Sequence, residues 1–182
     1  MSATTPAAAT GPTPKNTGEH HDSGRTALGL LDARQLHMAV AGCRVKGQSP
    51  VIPWSRELAD MHATLLNAAL SVERRPVGFD EPAMRDRMTA VVALIDEWAI
   101  FHLPRPVNAV HHTHSLGEVI SHFAQVFAQS QCALRRATNA EQQHEAALRM
   151  AQTLQGYADL VTAIRARRVQ LPLGWRGIRV IR

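Results

Sequence analysis

Apolar positions recur at alternating steps of four and three along most of the chain. Trp54, Leu58, Met61, Leu65, Ala68 and Val72 follow that spacing, and Met84, Met88, Val91, Ile95, Trp98 and His102 repeat it. Two later runs are similar: Leu116, Ile120, Phe123, Phe127 and Leu134, then Met150, Leu154, Tyr157, Val161 and Ile164. A helix of 3.6 residues per turn gathers such positions into one stripe, so each run predicts an amphipathic helix. A further helix is expected from Arg25 to Ala41, capped by Asp22 or Ser23 and stopped by Gly42, although its apolar residues occupy more than one face.

Punctuation sets the boundaries. Cys43 to Pro53 reads as a loop, broken by Gly47, Pro50 and Pro53, so the next helix is expected from Trp54 to Arg74. Asp80-Glu81-Pro82 opens the following one with an acidic cap and an early proline. Pro104 and Pro106 end it near Leu103. Ser115-Leu116-Gly117-Glu118 is a capping box, in which serine and glutamate each satisfy an amide of the other's turn. It predicts a helix from Leu116 to about Ala137. Thr138-Asn139-Ala140-Glu141 reads as a second box, opening a helix that reaches as far as Arg168.

The expectation is therefore all-α: an up-and-down bundle of four to five helices over residues 25–168, with short connections and no convincing strand region. Residues 1–24, rich in Ala, Thr, Pro and Gly, read as a disordered tail. Residues 169–182 read as an irregular basic and apolar tail.

Charge sharpens the picture of that end. The chain has 20 Lys+Arg, 15 Asp+Glu and ten histidines. Six arginines (Arg165, Arg167, Arg168, Arg176, Arg179 and Arg182) fall in the last stretch with no acid among them; without them the body is near neutral. Leu171, Leu173, Trp175, Ile178, Val180 and Ile181 lie between these arginines. A tail meant only for charge attraction would not need those anchors. The expected role is docking, in a groove of its own bundle or of a partner protein, with Trp175 as the main anchor and Arg165, Arg167, Arg168, Arg176, Arg179 and Arg182 meeting acids at the rim. Nucleic acid is the alternative, since arginines contact phosphates and tryptophan stacks on bases. A homo-oligomer stays open.

Chemistry has one candidate cluster. His112, His114, Glu118 and His122 could supply the three or four ligands that zinc requires, with Glu118 and His122 one helical turn apart. Against this, Glu118, His122, Gln125, Gln129 and Arg136 form one polar stripe, which is ordinarily a solvated face. His112 could equally hydrogen-bond a turn carbonyl. His62 and His102, on or beside apolar stripes, are expected as buried rings with hydrogen-bond partners. Asp96 and Glu97, one of them pointing toward the flank of the core, could do acid–base work as paired carboxylates, but read rather as a solvated pair or as partners of an arginine on the preceding helix.

GxGxxG, GxxxxGK, HExxH and GxSxG are all missing from the sequence. Cys43 and Cys132 lack CxxC spacing and are expected as buried thiols in a reducing compartment, the cytoplasm. No run reaches the 18–20 apolar residues of a membrane span, and the N-terminus lacks the form of a signal peptide.

Four pieces together resemble an uncharacterised bacterial helical family, domain of unknown function 4254. They are Glu57-Leu58-Ala59-Asp60-Met61-His62, Ile95-Asp96-Glu97-Trp98, His112-Thr113-His114-Ser115-Leu116-Gly117 and Val169-Gln170-Leu171-Pro172. The resemblance covers roughly residues 50 to 172. The family's turn commonly carries Glu where this chain has His114, and Ile-Asp-Arg where it has Ile120-Ser121-His122. The resemblance implies a helical protein and no established activity. The functional expectation is a helical-bundle protein acting by macromolecular interaction, with a metal-binding or enzymatic role at His111 to His122 as the competing reading.

Overall fold

The computed structural model describes residues 29–71 and 75–173. Within them the chain forms an all-α bundle in the order α1 (Ala33–Val40), α2 (Val51–Leu70), α3 (Glu81–His102), α4 (Leu116–Arg136) and α5 (Ala140–Arg165). The strands β1 (Val110–His111) and β2 (Val169–Gln170) pair in parallel, Val110 opposite Val169. α4 packs against α2, α3 and α5, while α1 lies across α2 and α5. No helix of the described residues is long and apolar enough to cross a membrane.

The four-three stripes are the core. Leu58, Met61 and Ala68 of α2, Val91, Ile95 and Trp98 of α3, Leu116, Ile120 and Phe123 of α4, and Tyr157, Val161 and Ile164 of α5 are all buried. Removing such side chains from water is the main favourable term in folding. Burial pushes the Tyr157 phenol above its ordinary pKa, but its hydroxyl is satisfied, donating to the Leu31 carbonyl at 3.0 Å. Arg165 of the same helix donates to the Leu30 carbonyl at 3.2 Å. The two bonds hold the segment before α1 on the last helix.

Several boundaries differ from the sequence reading. α1 begins at Ala33, not Arg25, because Asp32 and Gln35 form a capping box; the expected caps Asp22 and Ser23 lie outside the described residues, as do residues 1–24. Gly42 does end it: at φ 77° it completes a double turn in which its own amide donates to Ala39 and that of Cys43 to Met38. α2 starts a turn early, at Val51. Pro53 falls in its first turn, where a missing N–H costs nothing, and the Ser49 hydroxyl accepts from the Val51 amide.

The cap of α5 is Asn139, not Thr138: its side chain accepts from the Gln142 amide at 2.9 Å. α5 stops at Arg165, short of Arg168, in the same double turn that ends α1, with Arg167 and Arg168 amides donating to Ile164 and Ala163. Arg167 occupies the left-handed position, φ 56°, that glycine usually fills. Cys43 is exposed and Cys132 half-buried, so neither is the buried thiol expected. Cys43 lies just past the α1 stop signal, where no helix covers it.

Candidate interaction surface

The turn between α3 and α4 is built on three polar groups. Ser115 accepts from the Glu118 amide, and the Glu118 carboxylate accepts from the Ser115 amide at 2.7 Å. Asp96 of α3 adds a third contact: its Oδ1 accepts from the Gly117 amide at 2.7 Å. The N-terminal amides of α4 therefore hold two carboxylates, as the helix dipole favours. Asp96 is buried, and that desolvation raises its carboxyl pKa; the bonds from Gly117 and Ser115 pull it back, and the nearby Glu118 charge raises it again. The solvated Asp96–Glu97 pair expected from the sequence is not formed, since Glu97 alone faces solvent.

Gly117 makes this contact geometrically feasible. A Cβ on it would lie 2.9 Å from Val92 Cγ1 and from Asp96 Oδ1, and closer still to the Val92 carbonyl oxygen. Only the absence of a side chain lets α4 approach α3 so nearly.

The expected zinc ligands are not brought together. Among the described residues no three His, Cys, Asp or Glu side chains converge. The Glu118 carboxylate is engaged by the cap. His112 and His114 are neighbours, ring centroids 6.2 Å apart, but both rings form hydrogen bonds within their own loop. His112 Nδ1 meets the His114 carbonyl at 2.8 Å, and His114 Nδ1 meets the Thr113 hydroxyl at 2.9 Å. His122 instead lines a recess of about 300 Å³ with Val119, Phe123, Gln152, Thr153, Gly156 and Tyr157. His111 is exposed on β1.

His62 has a partner that its own sequence position did not reveal. Its Nε2 lies 3.0 Å from the Ser121 hydroxyl, joining α2 to α4. Desolvation, reinforced by the His122 and Arg85 charges and opposed by hydrogen bonding of the ring to the Ser121 backbone, lowers its pKa to about 4. A neutral imidazole beside a hydroxyl is the arrangement of a general base and a nucleophile. Ser121, however, lies beyond the first turn of α4, where backbone amides are used in the helix ladder and cannot stabilise an oxyanion. The pair is an interhelical tie. His102 is exposed rather than buried, its ring stacked on Trp98 at 5.0 Å with Nδ1 2.8 Å from the Trp98 carbonyl.

The most unusual surface is the end where β1 and β2 pair. Phe101, Val107 and Val110 are 75%, 89% and 77% exposed, and Leu173 is 41% exposed. Arg105, Arg167 and Arg168 are exposed on the same two segments. Residues 98–117 and 160–182 contain no Asp or Glu. Of the arginines expected to act in docking, Arg167 and Arg168 are free for it, whereas Arg165 is half-buried and bonded to Leu30. Trp175, Arg176, Arg179 and Arg182 lie outside the described residues. Patterning along helices could not have identified Val107 and Val110, because one falls in a turn and the other on a two-residue strand, where no helical period operates.

Compared with known proteins, the chain matches no family model, no curated protein and no solved structure.

Proposed function

We propose that the protein acts by binding another protein, through the β1–β2 end of the bundle and the arginine-rich segment that follows it. One observation carries the reading: the apolar side chains of Phe101, Val107 and Val110 stand in solvent on a segment free of carboxylates. Exposed apolar groups bordered by charge mark contact surfaces. The partner that fits is an acidic segment with apolar side chains of its own, the acids meeting Arg105, Arg167 and Arg168. Nucleic acid would use the arginines but leave Val107 and Val110 in water. The reading includes a reducing compartment, the cytoplasm, in which exposed Cys43 stays a thiol.

The test is capture of partners from the protein's own cells by the full chain, by Val107→Asp with Val110→Asp, and by Arg167→Gln with Arg168→Gln. The expected result is an acidic protein lost with the aspartates, weakened by the glutamines, and retained in part at moderate salt. Capture that ignores the aspartates, or consists of nucleic acid released by moderate salt, would refute the reading.

A further inference from the structure

A second feature lies on a different part of the surface. The loop after α1 and the first half of α2 enclose an open cleft of about 640 Å³. That volume is within the usual range of small-ligand sites, roughly 300–1,000 Å³. Its apolar wall is Val45, Ile52, Pro53 and Met61, and its charged groups are Arg44, Arg56, Glu57 and Asp60.

Those charges are not balanced within the cleft. Glu57 is already neutralised by Arg87 of α3 at 2.6 Å. Arg44 and Arg56 then face one remaining carboxylate, Asp60. Among the described residues Arg56 makes a single 3.5 Å contact, to the Cys43 carbonyl and at the limit of a hydrogen bond, so most of its five donors are uncommitted there. Gly42, in the left-handed region, brings the loop back over Arg56: a Cβ there would lie 3.4 Å from the guanidinium. The cleft thus joins an apolar wall to an arginine fork suited to carboxylate or phosphate.

We propose that this cleft binds a small anionic amphiphile, its apolar chain along Val45, Ile52 and Met61 and its carboxylate or phosphate at Arg56 and Arg44. Exposed Cys43 at the mouth reports occupancy, because a bound ligand shields its thiol.

The experiment measures the alkylation rate of Cys43 by iodoacetamide in the full chain, resolved from Cys132 by peptide mass spectrometry. Decanoate, decyl phosphate and decylamine are added below their micelle concentrations. Ligand at about three times its Kd leaves roughly a quarter of sites free, so the rate should fall about fourfold. Decanoate or decyl phosphate should give that protection, decylamine much less, and whichever anion protects more identifies the head group. Arg44→Gln with Arg56→Gln should remove the preference for anions while leaving the thermal unfolding of the chain intact. Because Arg56 contacts the Cys43 loop, Ile52→Asp provides an independent variant, which should abolish protection through the wall. Equal protection by all three compounds, or none by any, would overturn the proposal. Protection by phosphatidylglycerol vesicles without protection by the free anions would overturn it as well, in favour of a membrane surface.

Discussion

Gly117→Ala and Gly156→Ala add the same methyl group to two helices and should shift stability in opposite directions. At Gly117 the new carbon would sit 2.9 Å from Val92 Cγ1, where carbon pairs prefer about 3.5–4.0 Å. It would crowd Asp96 Oδ1 equally and the Val92 carbonyl more. α3 and α4 must then part, at an overpacking cost of about 1–3 kcal/mol. Parting also stretches the 2.7 Å bond from the Gly117 amide to Asp96, and a hydrogen bond to a charged group is worth about 1.5–3 kcal/mol. Alanine's helix preference returns about 0.5–1 kcal/mol, less in a first turn. The net expectation is a loss of about 1–4 kcal/mol, a large share of a typical stability of about 5–15 kcal/mol. At Gly156, in the interior of α5, nothing among the described residues lies within 4 Å of the added carbon. There only the helix preference acts, for a gain of about 0.5–1 kcal/mol. Urea unfolding followed by circular dichroism reads both as midpoint shifts at constant slope. A Gly117→Ala protein as stable as the parent, or two shifts of the same sign, would refute the argument.

Three further outcomes are expected. Ser115→Ala should lower stability by about 0.5–2 kcal/mol by removing the α4 cap; an unchanged urea midpoint would mean that Asp96 and Glu118 hold the helix end without it. His62 has a folded pKa of about 4 against 6.5, so the unfolded chain takes up the proton first: its contribution is complete above about pH 6.5 and is lost as pH falls through about 4. Urea midpoints measured across that window should fall less steeply in His62→Gln than in the parent, and parallel curves would count against the depressed value. Arg167→Gly should raise the melting temperature by relieving a left-handed residue at φ 56°, a strain of about 1–2 kcal/mol; an unchanged melting temperature would show that Arg167 is held there by contacts that compensate.

The four-three stripes carried most of the fold in the sequence, because burial of a helix face is a local pattern. The α3–α4 turn was equally legible: Pro104, Pro106 and the Ser115–Glu118 box act within a few residues of themselves. Three things were not. Pro50 and Pro53 look like breakers, and only the position of Ser49 shows that they belong to a helix start. α5 ends on an arginine in the left-handed region, so the glycine that would have marked the stop is missing. The β1–β2 pairing joins two residues to two others far along the chain, with no repeat to betray it. At the site, Asp96 offered one clue: a carboxylate directly after Ile95 and two before Trp98 sits at the edge of a buried stripe. Its partner Gly117, 21 residues on, is fixed only when α3 and α4 meet. Nearness in sequence set His112, His114, Glu118 and His122 side by side, whereas in the fold Glu118 is engaged in the cap and His112 and His114 bond within their own loop.

The bonds that fasten residues 30 and 31 to α5 impose an order on the making of the protein. Leu31 waits for the Tyr157 hydroxyl, 126 residues later, and Leu30 for Arg165. At translation speeds of about 5–20 residues per second, that is a delay of roughly 6–25 s. During it Leu30 and Leu31, both buried in the finished bundle, have no final resting place. The segment at residues 30 and 31, made early, is thus among the last of the described residues to be secured, and the nascent chain must pass that interval with an adhesive segment uncovered.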